Sequence, residues 1–460
     1  MNNKSVLLCG VLALLMVALN ANAKVSSKEA SKLGKSLTPF GSIKSGNKNK
    51  TIPAWTGGLT EVPAGYTGSG MHHIDPYGSD SVKFTIDASN YKGFKKYLTA
   101  GQYALFEAYP DSFKINVYPT HRSHSMPDWI LENTKKNAKT STLSRGGVGI
   151  VDAFGGIPFP ILHGRNEDKA LQAMWNHLTR WRGIFVTSRA NEIPVQRDGS
   201  YSIITKQQEI FFNFHNPKGS FKKLDNILFY FLTFNKAPAR LAGGALLVHE
   251  TIDQIKDKRG AWDYNSGQRR VRRAPNLAYD SPIASSDNTR TADDTDMYNG
   301  APDRYTWDYK GVKEFFIPYN NYKVGQKGVK YKDLVMPGHM NPEYVRWEQH
   351  RVHVIEATLK GSSRHIYKKR VFYIDEDSWG IAMVDQYDNR GELWRVSMAL
   401  LKNYYELPGV WSGVDLYHDL QSRRYSMNGV TSEEKLVSVF ENKIPSKRYF
   451  KPSSLRRRGR

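Results

Sequence analysis

Between positions 245 and 282 the chain reads ALLVHETIDQIKDKRGAWDYNSGQRRVRRAPNLAYDSP, a stretch that admits little but antiparallel β-structure. Residues 245–252 form a short apolar run ending in polar residues. Residues 261–264 and 268–273 flank Asn265-Ser266-Gly267, where Gly267 is expected to take the positive φ of a tight hairpin loop. Side chains alternate along a strand, so Trp262 and Tyr264 share one face of the first arm. On the second arm Arg269, Val271 and Arg273 point one way, and Gln268, Arg270 and Arg272 the other. Aromatic bulk on a surface with guanidinium groups at its rim makes a wall, not a catalytic centre.

Composition agrees with a β-rich chain. Aromatics reach 12%, and Gly and Pro are scattered as in strand-and-turn architecture. At 460 residues the chain can hold two or three domains or one elaborated sheet. Residues 1–23 are expected to be a cleaved export signal. Lys4 supplies its positive start, residues 6–19 its apolar stretch, and Ala21-Asn22-Ala23 the cleavage site. The apolar stretch falls short of the ~20 residues of a membrane-spanning helix. The mature protein is therefore expected to begin near Lys24 and to work in a Gram-negative periplasm, with association to the outer membrane left open. Cleavage also removes Cys9, the only cysteine, and with it any disulfide or thiolate chemistry.

The formal charge is +22 before Lys4 is lost, with concentrations at 269–273 and in the tail Leu455-Arg456-Arg457-Arg458-Gly459-Arg460. Outside the cytoplasm such an excess favours anionic lipid headgroups or lipopolysaccharide over nucleic acid. A merely solvated basic face is the simpler alternative. The chain is expected to divide into an N-terminal arm with short helices (24–115), a sheet domain with helical cover (116–440) and a basic tail (441–460).

Ser26 and Glu29 have capping-box spacing and open a short helix. Residues 37–70 read as an extended arm pinned by Trp55, and residues 87–108 as two short helices broken near Gly101. After Asp168, Leu171, Met174, Trp175, Leu178 and Trp181 make one helical stripe that Gly183 stops, with Asn176, His177, Arg180 and Arg182 off the stripe. Strands are expected at 184–188, 201–205, 209–214, 227–234 and 313–318. A meander follows over 350–359, 365–374, 379–387 and 392–400, in which Trp379, Ile381 and Met383 alternate onto one face.

The candidate chemistry is thin. His249-Glu250-Thr251-Ile252-Asp253 lacks the second His of a zinc-protease helix, and in a strand its ends lie roughly 13 Å apart. His72-His73, His121-x-x-His124 and His350 with His353 are weak metal pairs without a cysteine behind them. Asp287, Asp293, Asp294 and Asp296 lack the pattern of a calcium loop and are expected to pair with the nearby arginine run. Asp375-Glu376-Asp377 reads as a charged turn, not a glycosidase pair, and no G-x-S-x-G elbow is present. No catalytic residue, metal or cofactor is expected.

Several blocks resemble one bacterial family, domain of unknown function 1329. They include Leu37-Thr38-Pro39-Phe40-Gly41, Ile52-Pro53-Ala54-Trp55-Thr56-Gly57-Gly58, Tyr118-Pro119-Thr120-His121-Arg122 and Gly156-Ile157-Pro158-Phe159-Pro160. Trp175-Asn176-His177, Arg180-Trp181-Arg182-Gly183, Leu247-Val248-His249-Glu250-Thr251, Gly267 to Pro275, Tyr298 to Tyr305 and Phe372 to Trp379 resemble it equally. The resemblance implies a fold like that of the LolA/LolB lipoprotein-sorting carriers, an incomplete antiparallel barrel closed by helices over a hydrophobic cavity. It also implies an exported protein that works beside exporters of the resistance-nodulation-division class, and it brings no catalytic residues.

The expected fold class is thus α+β, mostly β, with one large curved antiparallel sheet and helices over its concave face. Its expected function is a non-enzymatic periplasmic carrier or chaperone for a lipid or other hydrophobic molecule. Trp175, Trp181, Trp262, Tyr264, Phe372, Trp379 and Trp394 are the expected cavity wall, and Arg269, Arg270, Arg272 and Arg273 the expected headgroup contacts. A structural envelope protein with a filled core is the alternative, and a hydrolase the third reading.

Overall fold

In the computed structural model, which describes residues 24–274 and 279–458, the expected strands join one sheet. β1 (Phe84–Ile86) and β2 (Ile115–Val117) belong to it, whereas β3 (Thr142–Leu143) and β4 (Ile150–Val151) pair separately. The other members are β5 (Phe185–Val195), β6 (Ile204–Phe211), β7 (Ile227–Ala237), β8 (Ala245–Thr251), β9 (Gly260–Asn265) and β10 (Arg270–Arg273). They continue with β11 (Tyr305–Pro318), β12 (Trp347–Leu359), β13 (Lys369–Asp375), β14 (Ile381–Tyr387), β15 (Leu393–Tyr404), β16 (Gly409–Asp419), β17 (Arg424–Val430) and β18 (Val439–Glu441). Across the sheet the order is β1-β2-β12-β13-β14-β15-β16-β17-β5-β6-β7-β8-β9-β10, with β11 on β12 and β18 on β5. Its ladders are antiparallel apart from one parallel contact of Val117 with Trp347, so the sheet is mixed. It ends at β1 and β10 and does not close into a barrel. The expected signal segment lies outside the described residues.

Helices are few. They are α1 (Ser27–Ala30), α2 (Ala100–Ala108), α3 (Asp128–Thr140), α4 (Asn166–Thr179), α5 (Tyr331–Leu334) and α6 (Pro452–Arg458). Ser26 and Glu29 form the expected capping box of α1. The break before α2 falls at Leu98, not near Gly101, because Thr99 and Gln102 form a second capping box. The helix expected after Asp168 is α4. It buries its polar side as well as its stripe, because Asn176 holds both backbone groups of Phe159 (2.9 and 2.8 Å) and Gln172 those of His163.

The hairpin differs in its turn. Asn265 pairs with Arg270, so the loop is 266–269, and Arg269 (φ 53°) takes the left-handed conformation expected of Gly267. The two strands expected at 201–205 and 209–214 are the single β6. Trp379 (φ 58°) sits in the turn between β13 and β14, so it does not alternate with Ile381 and Met383.

Both faces of the sheet are buried, and they differ in chemistry. The register aligns Met383, Met398, Leu416, Met427 and Ile193 in one transverse row. On that face α2 and the C-terminal segment pack. The opposite face carries the row Ala399, Asp415, Asn428, Glu192. There α4 and the loop over 284–304 lie against it, and the loop supplies countercharges.

Candidate functional site

On the apolar face, Phe185, Phe211, Tyr230 and His249 are successive register partners across β5, β6, β7 and β8. They form an aromatic row four strands wide, with the Trp262 ring 4.7 Å from His249. What covers this row is the end of the chain. The Phe450 ring stacks on Tyr230 (5.1 Å) and on Phe211 (6.3 Å), and His249 Nε2 donates to the Phe450 carbonyl at 2.7 Å. Leu455, in α6, is fully buried. Arg458 and the Tyr449 hydroxyl both donate to Glu209. At the sheet's edge beside α6, Arg269, Arg270, Arg272 and Arg273 are exposed, as are Arg456 and Arg457 of the helix. The basic tail expected at 441–460 is therefore folded onto the sheet as far as Arg458, next to the other basic stretch.

The expected wall residues do not form one wall. Trp262 and Tyr264 lie on the covered apolar face of β9, Tyr264 buried and Trp262 partly so. Trp175 donates to the Gly147 carbonyl and Trp181 to that of Pro408. Phe372 packs against Tyr298 and Trp307 on the charged face. Trp379 donates to the Phe40 carbonyl and stacks on His353 at 4.6 Å. Trp394 is half-buried and donates to Asp419. These rings are spread over both faces and interlock with their neighbours.

The acids expected to pair with the 269–273 arginines choose other partners, because their loop runs inward over the charged face while β10 stays at the edge. Asp293 accepts from Arg370 (2.5 Å) and His365. Asp296 accepts from Arg180 and Arg182, both at 2.5 Å, and Asp287 from Arg424. Complete burial would raise the Glu192 carboxyl, but Arg290 at 2.8 Å and Lys206 outweigh it and hold it down at about 2. His177 uses Nδ1 to accept from the Ile381 amide and Nε2 to donate to the Asp296 and Tyr298 carbonyls. Burial lowers it to about 3, so it is neutral.

Nor does the His249 block converge on a metal. Glu250 pairs with Arg259 at 2.7 Å, and Asp253 caps the next turn through the amides of Ile255 and Lys256.

One larger cavity, about 100 Å³, opens beside Lys402, Tyr404, Trp411, Asp415 and Asn428. A second, of about 20 Å³, lies on the apolar face between Phe113, Met398 and His418. Both fall below the roughly 300 Å³ of an ordinary ligand pocket.

Residues 85–456 match the model of a protein family described as "Protein of unknown function (DUF1329)". The chain belongs to this family. An uncharacterized protein of Pseudomonas aeruginosa is 46% identical to this DUF1329 chain over 456 residues, 99% of each. Among solved structures, a putative outer membrane lipoprotein-sorting protein domain from Vibrio parahaemolyticus is similar at 15% identity and a TM-score of 0.44, over 63% of this chain and 100% of its own. A DUF1329 family protein from Desulfovibrio piger gives 12% and 0.44 over 64% and 100%. A LolA superfamily protein from Nitrosomonas europaea gives 12% and 0.36 over 61% and 97%.

In this DUF1329 chain, blocks far apart in sequence meet around one buried cluster of carboxylates. Arg122 grips Asp377 with two bonds (2.8 and 2.7 Å), and Ser42 adds a third at 2.6 Å. Arg351 donates to Glu376 at 2.6 Å, and Arg346 and His350 hold Glu348. Trp55 closes the cluster by donating to the His124 carbonyl while its ring meets Phe40. His350, Asp375 and Asp377 offer ligand atoms within 4.8 Å of one another. Both Asp377 oxygens are already taken and guanidinium groups crowd the cluster, so it reads as a clamp between the arm and the sheet. No helix among the described residues is long and apolar enough to cross a membrane.

Proposed function

We propose that this protein is a non-enzymatic carrier or chaperone of the cell envelope for a lipid or similar amphiphile. The apolar part would lie along Phe185, Phe211, Tyr230 and His249 in the place now held by Phe450 and Leu455. The observation that carries this reading is that the broad aromatic row is covered by a short terminal segment, with exposed arginines beside it. Those arginines can meet a phosphate or carboxylate headgroup. Acyl chains gain about 0.8 kcal/mol per buried methylene, so a cleared row supplies affinity without specific polar contacts. The resemblance to the family adds a periplasmic location and an exporter of the resistance-nodulation-division class as partner.

A second reading is a structural envelope protein, favoured by the ion pairs that fill the charged face. Titration of the full-length protein and of Arg458→Ala with a fluorescent fatty acid separates the two. The carrier reading expects saturable binding that tightens several-fold in the variant. No binding by either protein overturns it.

A further inference from the structure

The larger cavity holds a second, separate chemistry. Lys402, on β15, is buried and reaches the cavity wall. Its hydrogen-bond partner is not a carboxylate but His73 Nδ1, at 3.2 Å. His73 Nε2 faces both oxygens of Glu406, at 2.9 and 3.1 Å, which fixes the proton on Nε2 and leaves Nδ1 as a lone pair. The Tyr66 hydroxyl donates to the same carboxylate at 3.0 Å. His73 comes from the N-terminal arm, where its neighbour His72 is fastened between the carbonyls of Gly325 and Glu434, both at 2.8 Å. The relay is therefore built across two parts of the chain and held at both ends.

A lysine that serves only as a structural cation is ordinarily set against a carboxylate. Here the carboxylate stands one residue back, and the atom facing the amine is a base. This is the order of a nucleophile, a base and an orienting acid. We propose that Lys402 is a reactive amine that condenses with a small aldehyde or ketone admitted to the cavity, with His73 and Glu406 as its proton relay. Nζ adds to the carbonyl carbon, and the proton it sheds passes to His73 Nδ1. The imidazolium, steadied by Glu406, returns that proton to the alkoxide to give the carbinolamine, and His73 then carries the remaining Nζ proton to the hydroxyl, which leaves as water as the C=N bond forms. One amine and one carbonyl give one imine and one water, so no oxidant or reductant is needed. Burial, opposed by Glu406, holds the Lys402 ammonium down to about 8, and burial followed by the Lys402 charge keeps His73 neutral, at about 4. At about 10–15 Å³ per water-sized sphere, the 100 Å³ cavity takes a molecule of fewer than ten non-hydrogen atoms.

The test treats the full-length protein at pH 7 with limiting acetaldehyde and cyanoborohydride and maps the ethylated peptides by mass spectrometry. Lys402 is expected to be labelled ahead of the exposed lysines. His73→Gln and Glu406→Gln are each expected to slow that labelling at least tenfold while the exposed lysines react as before. The exposed lysines also report that the variants are handled alike, and thermal melting confirms that each is folded. Labelling of the exposed lysines with Lys402 left bare overturns the proposal. Labelling of Lys402 at an equal rate in both folded variants overturns the relay.

Discussion

One guanidinium nitrogen of Arg458 donates to both carboxylate oxygens of Glu209, at 2.5 and 2.7 Å, and ties the last described turn of the chain to β6. Glu209 is almost fully buried, and its other side-chain partners are the Tyr449 hydroxyl and, at 3.4 Å, Gln207 Nε2. Arg458→Ala therefore leaves a buried carboxylate short of a partner, a loss of about 1–3 kcal/mol. The C-terminal segment should lift more often, and trypsin should cut after Lys447 and Arg448 several-fold faster. Unchanged cleavage would mean that the segment is held by Phe450 and Leu455 alone.

Arg122, just after β2, grips Asp377, in the turn after β13, through two buried hydrogen bonds, and the pair fastens the arm through Ser42 and the Lys44 carbonyl. Removing one partner of a buried ion pair costs about 3–5 kcal/mol, whereas replacing both by apolar groups costs much less. Asp377→Leu should lower the urea midpoint sharply, and Arg122→Met added to it should restore part of the loss. Additive losses in the double variant would show that the two residues are not coupled.

Gly101 stands where α2 touches the sheet. A Cβ there would lie 2.4 Å from Asp385 Oδ1 and 2.6 Å from a Val396 methyl, and the Gly101 amide donates to that same Asp385 oxygen. Gly101→Ala should destabilise by about 1–3 kcal/mol through overpacking, although alanine is the better helix former. A neutral or raised melting temperature would contradict this packing.

Buried imidazoles set the pH dependence. Burial lowers His177, His215 and His418 to about 3. Against roughly 6.5 in the unfolded chain, the unfolded state binds more protons between these values, so their contribution is intact above the higher value and lost as pH falls. At pH 5 each such imidazole accounts for about 2 kcal/mol of lost stability. Asp385 and Asp415, raised to about 6 by burial, act in the opposite sense between pH 3.8 and 6. Glu376, raised to about 8 by burial and by Asp377, acts with them, and the greater number of lowered imidazoles, with His73, His124 and His353 at about 4, decides the sign. Melting temperature should fall from pH 7 to pH 5, and His418→Gln should flatten that slope; a rise would contradict the neutral imidazoles.

Periodicity made the strands legible where one face is apolar or a turn signal intervenes, as for the ladder from β12 to β15. It failed for α3, whose inward side is Ile130, Thr134, Asn137 and Ala138 and so carries little apolar signal. It also passed over β16 and β17, whose mixed sequences face a charged layer. The expected wall was drawn from large aromatics, but Trp175, Trp379 and Trp394 are fixed by indole hydrogen bonds to different partners, which spacing does not reveal. The aromatic row was missed because Phe185, Phe211, Tyr230 and His249 become neighbours only through register. The Lys402 relay joins residues 73, 402 and 406, and only the arm's path brings the first to the others.

The carrier reading is tested most directly by native mass spectrometry of the full-length protein purified from the cell envelope without added detergent or lipid. The reading predicts a stoichiometric amphiphile that a fluorescent fatty acid displaces. An empty protein that takes up no fatty acid, whether wild-type or Arg458→Ala, would contradict it and leave an envelope protein with both faces of its sheet permanently filled.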